Sequence, residues 1–254
     1  LTDKVTKTVL EKATKLKIIA NYAVGFDNID VDYAKSKNII VTNTPCDEVN
    51  EAVAEFTWTL ILALSRKLEP AADFAKNVGY KGWQPDIFIG TDLKGKTLGV
   101  IGAGRIGSIV AAKAEAFGMK VITHSRTSNT KLEEVISTSD VVSLHVPLTP
   151  ETKHMIDSKT VFKPGAILIN TARGPVVDEA GLLELLQNGS LTGAALDVWE
   201  NEPEPRPELV EMPNVILTPH IASATKSARL AMGKLACDNL IAVFSGKPPL
   251  SAVK

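Results

Sequence analysis

The sequence has little of several features that mark specialised classes of protein. Its two cysteines, Cys46 and Cys237, are far apart and lack metal-ligand or redox spacing, so we expect free thiols in a reducing cytoplasm and no metal site. The net charge of −1 gives no sign of a nucleic-acid or anionic-membrane partner. The longest aliphatic run near the middle, "LILAL" at residues 60–64, is far too short to span a bilayer.

The amino end also lacks familiar signals. The stretch "LTDKVTKTVLEK" has no initiator methionine and no apolar signal-peptide core, and it reads as a helix already under way. We therefore expect a truncated or partly absent beginning. The 254 residues, 44% of them hydrophobic and 22% charged, suffice for one large or two modest globular domains.

What the chain does have is an alternation of short apolar runs and helical stretches. This pattern predicts an α/β protein with a parallel sheet that is covered on both faces. The runs are "KIIANYAVG", "NIIVTNT", "LGVIGAG", "MKVITHS", "DVVSLHVP", "AILINTA", "TGAALDVW" and "NVILTPH". We expect one helix from near Asp47, buried over residues 56–64, an extended connector at "GYKGWQPDIFIGTDLKGK", and a last helix from about Thr225 to Ser245.

A glycine-rich turn lies between the third run and the helical stretch after it. Gly102, Gly104 and Gly107 form G-x-G-x-x-G, which allows a tight turn, close approach of a pyrophosphate and close packing of helix on strand. The helix that follows offers free N–H groups to phosphate. A glycine triplet alone is weak, but its position between strand and helix predicts a dinucleotide site.

The acidic residue that such sites place about 20 residues further on, to bind the adenosine ribose, is absent. The second strand ends instead at Ser125 and Arg126, which removes a negative charge and supplies a cation for a 2′-phosphate. We therefore favour NADP. NAD, held by backbone contacts beside a solvated arginine, stays open as the alternative.

Three residues that suit carbonyl reduction follow apolar runs, where parallel sheets place their ligands. His220 would be the proton donor, Glu202 would orient it and favour its protonated form, and Arg173 would grip a carboxylate with two parallel hydrogen bonds. From spacing alone each could be a surface residue. His220 stands out because it alone among the four histidines lies in a loop at a strand end beside a proline and small residues; the others are His124, His145 and His154.

Long segments resemble the D-isomer-specific 2-hydroxyacid dehydrogenases. They are "NYAVGFDNIDVDYAKSKNIIVTNTP", "SLHVPLTPETKHMID", "TARGPVVDEAGLLELLQNGSLTGAALDVWENEP" and "NVILTPHIASAT". The resemblance covers essentially the whole chain and is nearest to the glyoxylate/hydroxypyruvate reductase branch. It implies NADPH-dependent reduction of a small 2-oxoacid, glyoxylate or hydroxypyruvate, to the D-2-hydroxyacid.

The resemblance also implies roles for individual residues. Arg173 would bind the substrate carboxylate and carbonyl oxygen, Glu202 would orient His220, and His220 would donate the proton. Backbone N–H groups of Val24 and Gly25 would bind the carboxylate, and Ser223 would line the substrate pocket. The cofactor would contact the glycine turn, the Ser125–Arg126 pair and a further set of residues, namely Arg105, Ile106, Pro147, Thr171, Ala172 and Asp197.

The family's architecture implies a Rossmann-like domain, residues 71–224, inserted in a flavodoxin-like substrate domain of residues 1–70 and 225–254 that is incomplete at its amino end. The active site would lie between the domains, and a homodimer would be built on the cofactor domain. The segment from Thr127 to Ser139 is shorter than in family members, which fit an extra short strand there. Either this is a true deletion or a loop near Asn129 is absent from the sequence; we favour the second reading.

Two rival functions remain. An NAD-dependent D-lactate or D-3-phosphoglycerate dehydrogenase of the same family is disfavoured by the Ser125–Arg126 pair, and "NYAVGFDNID" supplies no basic residue for a phosphorylated substrate. A dinucleotide-sensing transcriptional corepressor shares the fold and can retain the three catalytic residues. Kinetics with both reduced nicotinamide cofactors separate these possibilities.

Overall fold

The chain divides by its internal contacts into two units, Leu1–Ala52 with Ser223–Lys254, and Val53–Ala222. The computed structural model describes residues 3–253, except for the side chains at positions 78 and 79; residues 1, 2 and 254 of the predicted substrate domain lie outside the described residues. The units divide inside a helix, whereas the predicted limits fall after residues 70 and 224. The assignment of a substrate and a cofactor domain stays a prediction.

The first unit is a small α/β assembly around two parallel strands. Its elements are α1 (Lys7–Lys12), β1 (Ile18–Ala20), α2 (Val31–Ser36), β2 (Ile40–Thr42), the first residues of α3 (Asp47–Ser65), and α9 (Lys226–Phe244). Ile18 pairs with Ile40 and Ala20 with Thr42. Asp30 caps α2 by accepting a hydrogen bond from the Tyr33 N–H group at 3.0 Å, so a polar side chain fixes where the helix begins.

The second unit is built on a six-stranded sheet in which every neighbouring pair is parallel. The strands lie in the order β4-β3-β5-β6-β7-β8. Their bounds are β3 (Thr97–Ile101), β4 (Lys120–His124), β5 (Val141–Leu144), β6 (Ile167–Asn170), β7 (Gly193–Leu196) and β8 (Val215–Leu217). The rest of α3 and α4 (Leu68–Phe74) precede the first of these strands. The later helices are α5 (Arg105–Lys113), α6 (Leu132–Thr138), α7 (Glu179–Gln187) and α8 (Pro207–Val210).

The central strands of this sheet, β3, β5, β6 and β7, are covered on both faces. Leu168 packs in a cluster with residues of α6, α7 and α8, while its neighbour Ile169 packs in a second cluster with α3 and α5. Successive side chains of a strand point to opposite faces, so a strand covered on both faces must be apolar throughout. This is why the strands read as continuous apolar runs in the sequence.

The structure confirms the predicted α/β class and the Rossmann-like parallel sheet. Seven of the eight apolar runs contain a whole strand, and the run "LGVIGAG" contains all of β3 except Thr97. The helices expected near Asp47 and Thr225 begin at Asp47 and Lys226. The flavodoxin-like character of the first unit stays a prediction. The helix expected to be buried over 56–64 is only partly so, because Leu62 keeps 36% of its surface exposed. Among the described helices, none has the length and apolar character that crossing a membrane requires.

Candidate active site

The carboxyl ends of the six parallel strands bring the predicted residues of the second unit to one edge of the sheet. In an open parallel sheet, this is the edge at which ligands bind. Each of the six strands contributes to the set. In strand order along the chain, the residues that follow the strands are Gly102, Gly104, Arg105, Ile106 and Gly107 after β3; Ser125 and Arg126 after β4; Pro147 after β5; Thr171, Ala172 and Arg173 after β6; Asp197 and Glu202 after β7; and His220 after β8.

The turn after β3 has the shape that a dinucleotide pyrophosphate needs. Gly102 has φ +98°, and a side chain there would collide with the backbone of His145. A methyl group at Gly104 would meet nothing within 4 Å, so the space beside the turn is open. A methyl group at Gly107 would collide with the Gly102 carbonyl oxygen, so only glycine lets α5 begin this close to the strand. The turn and the amino end of α5 therefore fit a pyrophosphate.

Among the described strands, β4 forms one edge of the six-stranded sheet. The carboxyl end of β4 is polar. Arg126 is exposed, and Ser125 Oγ lies 3.3 Å from Thr127 Oγ1. His124 Nδ1 lies 2.7 Å from the Thr130 carbonyl oxygen, which closes the turn that leads directly into α6. No described residue between β4 and α6 forms the additional strand that the resemblance implies.

A buried asparagine shapes the loop that carries Arg173. Asn170, the last residue of β6, is fully buried; its Oδ1 accepts the Ala172 N–H at 3.0 Å and its Nδ2 donates to the Arg173 carbonyl oxygen at 2.9 Å. Thr171 Oγ1 lies 3.0 Å from Thr57 Oγ1. Both termini of the Asn170 amide therefore hold the backbone of residues 171–173, which fixes the point from which the Arg173 side chain extends.

His220 lies in a loop that Asp197 holds. The backbone of His220 is left-handed, with φ +54°, a conformation that costs a non-glycine residue about 1–3 kcal/mol and that the surroundings must stabilise. The buried Asp197 carboxylate accepts hydrogen bonds from the N–H groups of Ile221 at 2.9 Å and Ala222 at 2.8 Å, and from Thr218 Oγ1 at 2.7 Å. Burial raises the pKa of Asp197, and these three hydrogen bonds act in the opposite direction.

The predicted histidine and carboxylate are in direct contact. His220 Nδ1 lies 2.9 Å from Glu202 Oε2, and both side chains are only partly exposed, at 26% and 19%. His220 Nε2 makes no hydrogen bond within residues 3–253, so it is the nitrogen left for a ligand. His145, by contrast, lies beside Ser143 Oγ, and burial lowers its pKa to about 4, so its ring is neutral.

A second group of side chains holds the segment that carries Glu202. Glu200 N–H donates to Glu179 Oε1 at 2.7 Å, and Glu179 N–H donates to Glu200 Oε2 at 3.1 Å. His154 Nε2 lies 2.6 Å from Glu200 Oε1. Glu179 is 3% exposed, and burial raises its pKa. These contacts attach the segment two residues before Glu202 to the beginning of α7.

The remaining predicted residues belong to the first unit. Val24 and Gly25 lie in the loop between β1 and α2, and Ser223 begins the connection to α9. Their roles toward a substrate stay predictions.

Sequence reasoning missed the side chains that hold the loops, namely Asn170, Glu179 and Glu200, and did not recognise this role for Asp197. One signal was present, since Asn170 is a polar residue at the end of an otherwise apolar strand, "ILIN". The mutual bonds of Glu179 and Glu200 join residues 21 positions apart, and spacing gave no sign of them.

Comparison with known proteins identifies the family. Residues 58–222 match the family described as "D-isomer specific 2-hydroxyacid dehydrogenase, NAD binding domain". The chain belongs to the D-isomer-specific 2-hydroxyacid dehydrogenase family. It is accordingly an NAD(P)-dependent oxidoreductase that acts on CH–OH groups, and its cofactor is a nicotinamide dinucleotide.

Three relatives within the family show which of its members the chain is similar to. The chain is 48% identical to the glyoxylate reductase of Thermococcus litoralis over 270 residues, covering 100% of this chain and 81% of the relative. It superposes with a TM-score of 0.88 on the NADPH-dependent glyoxylate/hydroxypyruvate reductase of Sinorhizobium meliloti in complex with NADP and malonate, at 36% identity over 99% of this chain and 82% of that one. It superposes with a TM-score of 0.87 on the D-lactate dehydrogenase of Aquifex aeolicus complexed with NAD and lactic acid. The sequence identity is 38%, over 96% of this chain and 80% of that one.

The chain is shorter than its relatives over the region they share. The alignment with the Thermococcus litoralis enzyme spans 270 positions and the chain has 254 residues, so at least 16 positions fall opposite gaps in this chain. In this chain β4 is followed by a direct turn into α6. That some of the gapped positions fall at this turn stays a prediction. Whether residues are absent near Asn129 stays a prediction.

Proposed function

We propose that this protein reduces glyoxylate or hydroxypyruvate to the D-2-hydroxyacid with NADPH, and that His220 donates the proton. The observation that carries the proposal is the 2.9 Å contact between His220 Nδ1 and Glu202 Oε2 at the edge of the sheet where the Arg173 loop also lies. A histidine paired at Nδ1 with a carboxylate is suited to hold a proton at Nε2 and release it to a developing alkoxide. The names of the Thermococcus and Sinorhizobium relatives support the choice of substrate.

The protein's own groups divide the work as follows. The bound nicotinamide supplies the hydride. Arg173 grips the substrate carboxylate and polarises the adjacent carbonyl oxygen, since a guanidinium offers two parallel donors. Glu202 fixes the orientation of the His220 ring and stabilises its positive charge. The N–H groups of Val24 and Gly25 bind the carboxylate, and Ser223 lines the pocket.

On the cofactor side, the N–H groups at Arg105 and Ile106 bind the pyrophosphate, because the first turn of a helix has free donors. Asp197 would contribute to holding the nicotinamide carboxamide, in addition to holding the His220 loop. The walls of the cleft are formed by Pro147, Thr171 and Ala172.

The preference for NADPH rests on the polar end of β4. The exposed Arg126 offers a cation for the 2′-phosphate, and Ser125 has a hydroxyl where an acid would repel that phosphate. Arg126→Ala is expected to raise the KM for NADPH about tenfold, since an ion pair hydrogen-bonded to phosphate contributes about 1.5 kcal/mol, and to leave the KM for NADH unchanged. Equal catalytic efficiency of the unmodified protein with both cofactors would contradict the proposal.

The alternative is an NAD-dependent D-lactate dehydrogenase, favoured by the 38% identity to the Aquifex aeolicus enzyme. A D-3-phosphoglycerate dehydrogenase is a more distant version of the same alternative. Steady-state kinetics of glyoxylate, hydroxypyruvate and pyruvate with each reduced cofactor test both readings together. We expect the highest kcat/KM for glyoxylate or hydroxypyruvate with NADPH; pyruvate with NADH as the best pair would establish the alternative.

A homodimer built on the second unit and a cytoplasmic location complete the proposal. Both rest on the resemblance to the family and on cysteine usage. Sedimentation at several concentrations tests the dimer.

A further inference from the structure

The loop between β1 and α2 is held by its carbonyl groups. Three successive carbonyl oxygens, those of Ala23, Val24 and Gly25, each accept a hydrogen bond. The donors are the Thr44 N–H group at 2.8 Å, Asn43 Nδ2 at 2.7 Å and Asn21 Nδ2 at 2.7 Å. Two of the three contacts thus come from side-chain amides rather than from neighbouring backbone.

Peptide planarity converts these contacts into an orientation of the N–H groups. In a trans peptide the C=O and the following N–H point in opposite directions. Fixing the carbonyl groups of residues 23–25 toward their donors therefore turns the N–H groups of Val24, Gly25 and Phe26 away from them. Within the described part of the chain these three N–H groups donate no hydrogen bond. N–H groups without a partner within the described residues are available as donors to an anion.

We propose that Asn21 and Asn43 are positioning residues for the substrate carboxylate, which they orient indirectly by fixing the N–H groups of Val24, Gly25 and Phe26. The inference rests on the proposed function, because it takes the anion at this loop to be the carboxylate of a 2-oxoacid. It adds two side chains that do not touch the substrate, and it adds Phe26 N–H to the expected donors.

The two asparagines are themselves firmly held. Asn21 is 8% exposed, and its N–H donates to the Thr42 carbonyl oxygen at 2.8 Å. The Asn43 carbonyl oxygen accepts from Ser251 Oγ at 2.6 Å, and Ser251 Oγ accepts from Nδ2 of the fully buried Asn239 in α9 at 2.8 Å. A continuous path of hydrogen bonds therefore connects α9 to Asn43 and, through it, to the Val24 carbonyl group.

An amide suits this position for two reasons. Its NH₂ group donates to a carbonyl oxygen, which an aspartate carboxylate cannot do. It is also neutral, so it adds no negative charge beside a site for an anion. Alanine would leave the loop carbonyl unheld and the N–H groups free to turn.

The test compares Asn43→Ala and Asn21→Ala with Asn28→Ala as the matched control. Asn28 is near the same loop, but its Nδ2 donates to the Asp3 carbonyl oxygen at 3.2 Å and not to residues 23–25. We call the side chains of Asn21 and Asn43 clamps, since each holds a loop carbonyl group, and the two alanine substitutions the clamp variants. We expect each clamp variant to raise the KM for glyoxylate and the inhibition constant of oxalate about tenfold, because amide hydrogen bonds to a carboxylate contribute about 1.5–3 kcal/mol. The KM for NADPH and the kcat should change less than about threefold, within the context dependence of such bonds. The control should match the unmodified protein.

A measurement on the unmodified protein covers the case in which a clamp variant does not fold. On addition of oxalate to the NADPH complex, the backbone amide resonances of Gly25 and Phe26 should shift, while that of Thr44, already bonded to the loop, should not. The inference is wrong if glyoxylate is reduced but both clamp variants keep its KM, if the KM values for glyoxylate and NADPH rise together, or if the Gly25 and Phe26 resonances stay unmoved. If the unmodified protein reduces no 2-oxoacid, the proposed function fails first, and this inference fails with it.

Discussion

Two loops of this protein are held in place by buried or half-buried polar side chains, but with opposite chemistry. In the first unit, the neutral amides of Asn21 and Asn43 donate to loop carbonyl groups, and the N–H groups of residues 24–26 have no partner within residues 3–253. In the second unit, the Asp197 carboxylate accepts backbone N–H groups and holds His220 in a left-handed conformation. One loop is arranged to present backbone donors, and the other to present a side chain.

The difference follows from the charge that each loop is proposed to meet. A carboxylate clamp beside a loop that binds an anion would repel the ligand, so neutral donors are the suitable choice there. In the proposed mechanism the imidazole of His220 carries a proton, and a buried carboxylate nearby is favourable for that; His220 in turn acts to lower the pKa of Asp197. If both loops act as proposed, the charge of each holding side chain contributes to the function of its loop, and exchanging the charges tests this.

The largest expected effect comes from removing the side chain that the second loop presents. His220→Ala should lower kcat by about 10²–10⁴-fold, because the alkoxide loses its proton donor. The KM for NADPH should stay near that of the unmodified protein, since His220 contributes to proton transfer and not to the pyrophosphate turn. Steady-state kinetics with glyoxylate measure both quantities. If His220→Ala keeps the kcat of the unmodified protein, His220 is not the proton donor, and the proposed role of the second loop is wrong.

Exchanging the charges of the clamps tests the comparison directly. Asn43→Asp removes a donor and adds a negative charge beside the anion loop, so the KM for glyoxylate should rise about 100-fold, more than for Asn43→Ala. Because residue 43 is only half-buried, salt still screens its charge in part, and added salt should recover a part of this excess. The measurement is the KM for glyoxylate at low and high ionic strength.

The reciprocal substitution, Asp197→Asn, should act differently. It replaces an acceptor of three hydrogen bonds by a neutral amide, so the free energy of unfolding should fall by about 2 kcal/mol and kcat by about tenfold. Denaturant unfolding and kinetics measure the two effects. The comparison is wrong if Asn43→Asp and Asn43→Ala raise the KM for glyoxylate equally and Asp197→Asn changes neither kcat nor the free energy of unfolding. The charges of these side chains would then have no effect on the loops.

The sequence predicted the strands and the glycine turn, and it located the proposed site residues at strand ends, because each lies next to a run whose apolar pattern locates a strand end. Gly102, Arg173 and His220 could all be found in this way. The clamps could not. Asn43 acts on Val24 across 19 residues, and Asp197 on Ala222 across 25, so their partners depend on which strands lie side by side. Strand order is a tertiary property that local pattern does not contain.

The region at the end of β4 also divides into what the sequence could predict and what it could not. Ser125 and Arg126 are visible in the sequence, and the prediction of NADP rests on their residue types, because an arginine attracts a 2′-phosphate that an acidic residue would repel. The direct turn into α6 beside them depends on where α6 begins, and its polar contacts between Ser128, Thr130 and His124 came only from the structure.

The smallest expected effect concerns Glu179, a third clamp, which accepts the Glu200 N–H and so holds the segment before Glu202. Burial raises its pKa above the ordinary 4.5, so the folded protein binds the proton more readily than the unfolded chain. Stability from this group is therefore fully present below pH 4.5 and is lost as the pH rises through the raised folded value.

Glu179→Gln keeps an acceptor for the Glu200 N–H but removes the buried charge. At pH 7 its free energy of unfolding should equal or exceed that of the unmodified protein by up to about 1 kcal/mol, and the gain should disappear on acidification toward pH 4.5. Denaturant unfolding at a series of pH values measures the difference. The opposite result would be a variant that is less stable than the unmodified protein at pH 7 but has the same kcat. It would mean that the negative charge of Glu179, which lies 4.0 Å from Arg206 Nε, stabilises the fold.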